Sequence, residues 1–346
     1  MDKCCIIGAF DFTEKDTGGQ PVKTREFYRL LSDQYGKENV FPIETLGWKR
    51  NPIKLIGKIF AAAKKCDTMI MLPAHNGVEI FGRILAGYKK RKNKKIYYNV
   101  IGGWLAEKLE KEPKLKKVLR EFDGIWVETE TMKRKLEAQG FCNISIIPNF
   151  KRLTPIGSNE IKNICNPPYK LCTFSRVCER KGIEDAVRAV EGINKEADKT
   201  VYTLDIYGQI DESEVEWWEN LKSGLPEYIT YKGVADPSKS VEILREYFAL
   251  LFPTKFYTEG IPGTIIDAYF SAVPVISSRW LSFCDVVREK ETGYGYEFNN
   301  PDKLFELLKD IANNPEMINS LRVNCLGEAK NYTPEAAVEI LTKSLR

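Results

Sequence analysis

Short apolar runs alternate with longer amphipathic stretches along most of the chain. "CCIIGAF" (4–10), "TMIMLP" (68–73), "KIYYNVI" (95–101), "GIWVET" (124–129) and "ISIIPN" (144–149) read as buried strands, and the mixed stretches between them are long enough for helices. The rhythm breaks at "NFKRLTPIGSNEIKNICNPPY" (149–169), rich in Pro, Asn and Lys, and then restarts. "KLCTFS" (170–175), "YTLDIYG" (202–208), "YITYKG" (228–233), "FALLFPT" (248–254) and "VPVISS" (273–278) alternate with the helical patterns 183–193, 240–248 and 265–271. Strand–helix alternation predicts an α/β protein of two Rossmann-like, doubly wound parallel-sheet domains. We place them at 1–155 and 169–346, joined by a linker at 156–168, with the last helix packing back on the first domain. Ligands of such sheets bind at the carboxyl ends of the strands, and two facing sheets make a cleft.

"YTEGIPGTIIDAYFSAVPVIS" (257–277) carries the most chemistry. The strand 248–254 ends in a loop holding Glu259, and a helix opens near Pro262, whose φ is preset. Gly263 leaves the backbone bare, so free N–H groups and the positive end of the helix suit a phosphate there, together with Thr264. Asp267 lies four residues on, on the face of Gly263, where it can accept hydrogen bonds from ribose hydroxyls. Glu259 points at whatever the diphosphate carries. "FSRVCERKGIEDAVRAV" (174–190) follows the first strand of the second half with Arg176 and with Lys181 in a Lys-Gly pair. A departing nucleoside diphosphate gains negative charge, and preorganised cations stabilise it without a metal. No Asp-x-Asp tripeptide occurs, so neither a metal nor another cofactor is expected. The plainer readings are an acidic strand–loop–helix for the first segment and a solvated, capped loop for the second.

Composition adds limits. A 346-residue chain with 43% hydrophobic and 29% charged residues is long enough for two cores. Nine scattered cysteines with no C-x-x-C pair suggest free thiols in a reducing cytosol. No signal-peptide pattern and no apolar run near the ~20 residues of a membrane span is present. The net charge of +4 conceals +10 over residues 1–150 and −6 over 151–346. The basic residues concentrate at 48–65, 88–95 and 107–122. Solvated helix faces are the plain account. A docking face for an anionic membrane is the sharper one, with Leu55, Ile56, Ile59 and Phe60 as apolar neighbours of the charge.

Taken in order, "FSRVCERKG", "LDIYGQ", "YKGVAD" and "LFPTKFYTEGIPGTIIDAYFSAVPVISS" resemble the retaining GT-B glycosyltransferases of the large family that includes glycogen synthases, sucrose synthase and phosphatidylinositol mannosyltransferases. The resemblance is nearly continuous over the second half. In the first half "KDTGGQPVKTREFYRLLSDQYG", "WVETETMKRKLEAQG" and "ISIIPNF" carry it more loosely. It implies transfer of a sugar from a nucleotide-sugar, most naturally a UDP-sugar, with retained configuration and without metal. Arg176, Lys181, Gly263 and Thr264 would hold the diphosphate, with Gly18 and Gly19 closing from the other domain. Glu259 would contact the donor sugar, Asp267 the ribose, and Gly233 and Val234 would lie under the base. The family's usual proposal is front-face displacement, with no enzyme nucleophile. Similar bacterial enzymes build cell-surface polysaccharides, so a lipid-linked glycan acceptor and a cytoplasmic protein resting on the inner face of the cell membrane are expected.

Two departures stand out. Asp267 replaces the usual Glu, a methylene shorter. "YYNVIGGWL" lacks the histidine often found near the donor sugar; the only histidine is His75 in "LPAHNGV". His75, Asn99, Gly102 and Gly103 are therefore candidates for the acceptor side. Other classes fit less well. A Rossmann oxidoreductase would need G-x-G-x-x-G after the first strand, where "IIGAFDFTEKD" stands. A nucleic-acid partner is not expected, because the aromatics of the basic half are not interleaved with Lys and Arg. An epimerase or phosphorylase on the same fold, or a non-catalytic sugar-nucleotide binder, is the alternative.

Overall fold

The computed structural model describes residues 3–14, 18–75, 77–92 and 94–345, with the backbone alone at 90–92. The chain forms two compact units, Met1–Asn149 with Pro334–Arg346, and Phe150–Thr333.

In the first unit, among the described residues, β1 (Cys4–Gly8), β2 (Val40–Glu44), β3 (Thr68–Met71), β4 (Lys95–Asn99), β5 (Gly124–Val127) and β6 (Ile144–Ile146) form one parallel sheet in the order β2-β1-β3-β4-β5-β6. The helices are α1 (Gly19–Tyr35), α2 (Pro52–Lys65), α3 (Gly77–Lys92), α4 (Leu105–Lys111), α5 (Pro113–Leu119) and α6 (Glu130–Ala138). Leu55, Ile59 and Ala63 make the buried stripe of α2, recurring every four residues as one helix face must. They join Cys5, Ile7, Met69, Met71, Ile96 and Tyr98 in one core. On the opposite face Phe27 of α1 meets Trp126 of β5. Leu55 and Ile59, expected beside the membrane-facing charge, are thus core residues. The exposed apolar side chains of this region are Leu46, Ile53 and Phe60.

The second unit repeats the theme. Strands β7 (Tyr169–Phe174), β8 (Tyr202–Tyr207), β9 (Ile229–Gly233), β10 (Ala249–Phe252), β11 (Val275–Ser278) and β12 (Gly293–Tyr296) are parallel, in the order β12-β11-β10-β7-β8-β9. Its helices are α7 (Ile183–Glu196), α8 (Val215–Ser223), α9 (Ser240–Leu244), α10 (Gly263–Phe270), α11 (Phe283–Val286), α12 (Pro301–Asn313), α13 (Glu316–Asn319) and α14 (Arg322–Glu328). Alternate strand residues feed opposite cores. Leu171, Ala249 and Leu251 pack with α7 and α12, whereas Cys172, Leu250 and Phe252 pack with α9, α10 and α14.

Two boundaries differ from the expectation. The helix expected over 240–248 stops at Leu244, because Phe248 already donates its N–H to Lys170 O beside β7. The segment 150–168, expected partly as first domain and partly as linker, is fastened to the second unit. Lys151 N–H donates to Tyr332 O at 3.0 Å, Ile156 N–H to Phe270 O at 3.0 Å, and Ile164 N–H to Asn319 Oδ1 at 3.0 Å. The last helix, α15 (Pro334–Ser344), groups with the first unit and neighbours α1. Among the described residues no helix is long and apolar enough to cross a membrane.

Candidate functional site

The strand order of the second sheet reverses direction between β7 and β10. The loops leaving two such neighbours run to opposite sides of the sheet and leave a crevice between them. Both sequence segments singled out for chemistry leave the sheet there, 175–182 after β7 and 253–262 after β10. Gly182 brings the two loops together. Its φ is +70°, and a Cβ on it would stand 1.8 Å from Pro253 O, so only glycine lets the Lys-Gly turn lie against the β10 loop. Gly208, at the end of β8, is required in the same way, with a Cβ position 1.8 Å from Ser175 O.

This close approach joins Lys181 to Glu259. The ammonium donates to Glu259 Oε1, with both side chains about four-fifths buried. Thr254, wholly buried, donates to the same oxygen at 3.3 Å and accepts from Phe256 N–H at 3.0 Å, which fixes the loop that carries the acid. Lys181 also stands 5.2 Å from the centre of the Phe252 ring. Arg176 reaches Asp211 Oδ2 at 3.2 Å from a half-exposed position. Hydrogen bonds from the Ser213 hydroxyl and N–H, with Arg176 beside them, hold the Asp211 carboxyl below the usual carboxylate range. Burial pushes the thiol of Cys178, between these cations, up and so disfavours its thiolate.

Pro262, in extended backbone, caps α10, and Gly263 and Thr264 open it. N–H groups of a first helical turn have no carbonyl within the helix to bond. The Thr264 hydroxyl oxygen is buried without a hydrogen-bond partner. Buried hydroxyls are normally bonded, and a ligand oxygen at this helix start would satisfy this one. Asp267 is 2% exposed, and its Oδ2 receives the Lys151 ammonium at 2.5 Å while Oδ1 receives the Ser240 hydroxyl at 3.1 Å. Sequence reasoning missed Lys151, Ser240 and Thr254. Lys151 and Asp267 are 116 residues apart, and no local pattern links them. At the end of β9, Gly233 has φ +76° with open space where its Cβ would be, and Val234 is 58% exposed.

The remaining candidates belong to the first unit, whose strand order reverses between β1 and β3. Gly18 and Gly19 start α1 after the β1 loop, and a Cβ on Gly19 would meet nothing within 4 Å, so packing does not require that glycine. Lys15, Asp16 and Thr17 of the same motif lie outside the described residues. Exposed His75 follows β3 and stacks on Trp104 with ring centres 3.9 Å apart. Partial burial and the Lys108 ammonium hold its imidazole below the ordinary value. Asn99, at the end of β4, is fully buried, and neither of its amide atoms has a partner. Gly102 (φ +82°) and Gly103 follow it. Near them Lys23, itself buried, donates to Glu128 and to Val100 O.

Residues 168–314, within the second unit, match the family model described as Glycosyl transferases group 1. The UDP-N-acetylglucosamine–peptide N-acetylglucosaminyltransferase GtfA subunit of Streptococcus gordonii is 33% identical over 157 residues, 44% of this chain and 29% of the relative. This chain therefore spans less than a third of that relative's length. Among solved structures, Anabaena HepE in complex with UDP and glucose superposes with a TM-score of 0.73 at 12% identity, covering 100% of this chain and 99% of that one. Sucrose-phosphate synthase from Thermosynechococcus elongatus superposes with a TM-score of 0.76 at 14% identity, covering 99% and 98%. The chain has the fold of GT-B glycosyltransferases.

Proposed function

We propose that the protein is a retaining, metal-independent glycosyltransferase that moves a sugar from a UDP-sugar to a hydroxyl group of a lipid-linked glycan. The observation that carries this reading is the meeting of Lys181 with Glu259 beside the bare start of α10, at the reversal point of the second sheet. A diphosphate at Gly263 and Thr264 takes the free N–H groups and finds Lys181 and Arg176 in the neighbouring loop. As the sugar–phosphate bond breaks, the acceptor oxygen forms the new bond on the same face. Its proton passes to an oxygen of the departing phosphate, and the cations and helix start stabilise the charge left there. Glu259, held by Lys181 and Thr254, addresses the sugar, and exposed Val234 offers an apolar seat for the base. The UDP named in the HepE structure and the UDP-N-acetylglucosamine named for GtfA favour uridine as that base. The basic first half favours an acceptor at an anionic inner membrane face.

Transfer from UDP-glucose, UDP-galactose or UDP-N-acetylglucosamine to lipid-linked acceptors tests the reading, with the product's anomeric configuration read by NMR. EDTA should leave turnover unchanged. Arg176→Ala and Lys181→Ala should each lower it about a hundredfold, the scale of losing one electrostatic stabiliser. Inverted product, complete loss on chelation, or full activity in the Arg176→Ala, Lys181→Ala double variant would each refute the corresponding part.

A further inference from the structure

We propose that Lys151 is a donor-binding residue. Its ammonium, lying across the first turn of α10, takes a phosphate oxygen of the nucleoside diphosphate, and Asp267 is the positioning residue that holds it there. The proposal rests on the donor-site reading above and changes the part assigned to Asp267.

Four observations carry it. First, a Cβ built on Gly263 would meet only the Lys151 side chain, its Cε at 3.0 Å and its Nζ at 3.4 Å. The ammonium thus stands beside the N–H groups that a diphosphate would take. Second, Asp267 is 2% exposed and both its oxygens already accept, from Lys151 and from Ser240. A ribose hydroxyl would have to reach an acid enclosed by the protein, whereas the Lys151 side chain keeps 24% exposure and has two further N–H donors. Third, a cation at the positive end of a helix is poorly placed alone, since the dipole there favours anions. Asp267 offsets this in part, and a bound diphosphate would make lysine and helix start favourable together. Fourth, the buried Thr264 hydroxyl has no partner at the same turn. The backbone of Lys151 is fixed by its N–H bond to Tyr332 O, so the side chain alone sets where the ammonium sits. The shorter acid therefore pairs with a long cation in this chain, and the donor contact passes from carboxylate to ammonium.

Calorimetric or ligand-observed NMR titration with UDP and with uridine tests this on the full chain. Lys151→Met should weaken UDP roughly tenfold to a hundredfold, as the loss of a charge-assisted hydrogen bond does, and leave uridine unchanged. Lys151→Arg should restore most of the loss. Because Lys151→Met leaves Asp267 buried without its cation, the double variant Lys151→Met, Asp267→Asn is the folding control, and it should remain weak for UDP. UDP binding restored to the native level in the double variant, or uridine falling in parallel with UDP, would mean that Lys151 only supports the fold. Asp267→Asn losing affinity for uridine but not for 2′,3′-dideoxyuridine would return the ribose contact to the acid. If the native chain binds none of UDP, GDP and ADP, the nucleotide-sugar reading fails and this proposal falls with it.

Discussion

His75 is the chain's single histidine, which makes its titration observable without assignment by mutation. Its ring lies against Trp104, and Lys108 stands near it, itself paired with Glu79 at 2.9 Å and Glu112 at 2.7 Å. Desolvation and the lysine charge both disfavour the imidazolium, so the proton leaves below the ordinary imidazole value. The linkage has a definite sign. The unfolded chain takes up this proton first as pH falls, so His75 subtracts stability in acid, and the loss vanishes as pH rises through the ordinary value near 6.5. At neutral pH the ring is therefore an uncharged hydrogen-bonding group at the end of β3. Proton NMR should show the imidazole resonance titrating below the free value, and Lys108→Met should raise that midpoint, since it removes a cation and releases two carboxylates. A midpoint at or above the free value in the native chain would contradict this account.

Among elements, glycines separate structural need from room for a ligand. Gly182→Ala places a Cβ 1.8 Å from Pro253 O at φ +70°. It should cost about 2–4 kcal/mol in urea unfolding, from strain and overlap together, and should part Lys181 from Glu259. Gly19→Ala, with nothing within 4 Å of its Cβ, should leave stability unchanged. Equal stabilities for the two variants would refute the close approach of the β7 and β10 loops. The same physics explains what could be read in the sequence. The interior strands are legible because burial on both faces demands uninterrupted apolar runs. Edge strands β2 and β12 escaped notice, "VFPIE" because Pro42 breaks the strand signature and "GYGY" because glycine is a poor strand former. Both choices are edge-compatible. In addition, a Cβ on Gly293 would stand 2.2 Å from Val275 O and one on Gly295 2.5 Å from Phe283. The candidate residues could be picked out where they are local in sequence, as in the Lys-Gly pair and the Glu-Gly loop. The sequence was silent where the contact is long-range, as between Lys151 and Asp267 or between Lys181 and Glu259.

At the scale of the whole molecule, the uneven charge, +10 over residues 1–150 against −6 over the rest, is the property that sequence and structure together make testable. Two of the basic runs come together, since Phe60 of α2 lies 5.4 Å from Tyr88 of α3, ring centre to ring centre. Two lysines of the run that ends α3 are already paired. Lys89 pairs with Asp123 at 2.8 Å and Lys94 with Asp67 at 3.0 Å, while Asn93 and the side chains of residues 90–92 lie outside the described residues. On α2, Lys54, Lys58, Lys64 and Lys65 are exposed, and Ile53 is 83% exposed beside them. Each basic residue near an anionic surface contributes about 1 kcal/mol, so a few together hold a protein reversibly. That attraction is screened over about 8 Å at 0.15 M salt and about 3 Å at 1 M, so binding should fall steeply as salt rises. Cosedimentation should therefore show the native chain on vesicles containing anionic lipid at low salt, and neither on neutral vesicles nor at high salt. A variant with Ile53, Lys54 and Lys58 changed to Ser should lose most of this binding. The α2 side chains are free to meet a surface, and Ile53→Ser also removes an apolar anchor. If the native chain ignores anionic vesicles at low salt, the first half is basic only because its helices are solvated, and the membrane-bound acceptor of the proposed function loses its support.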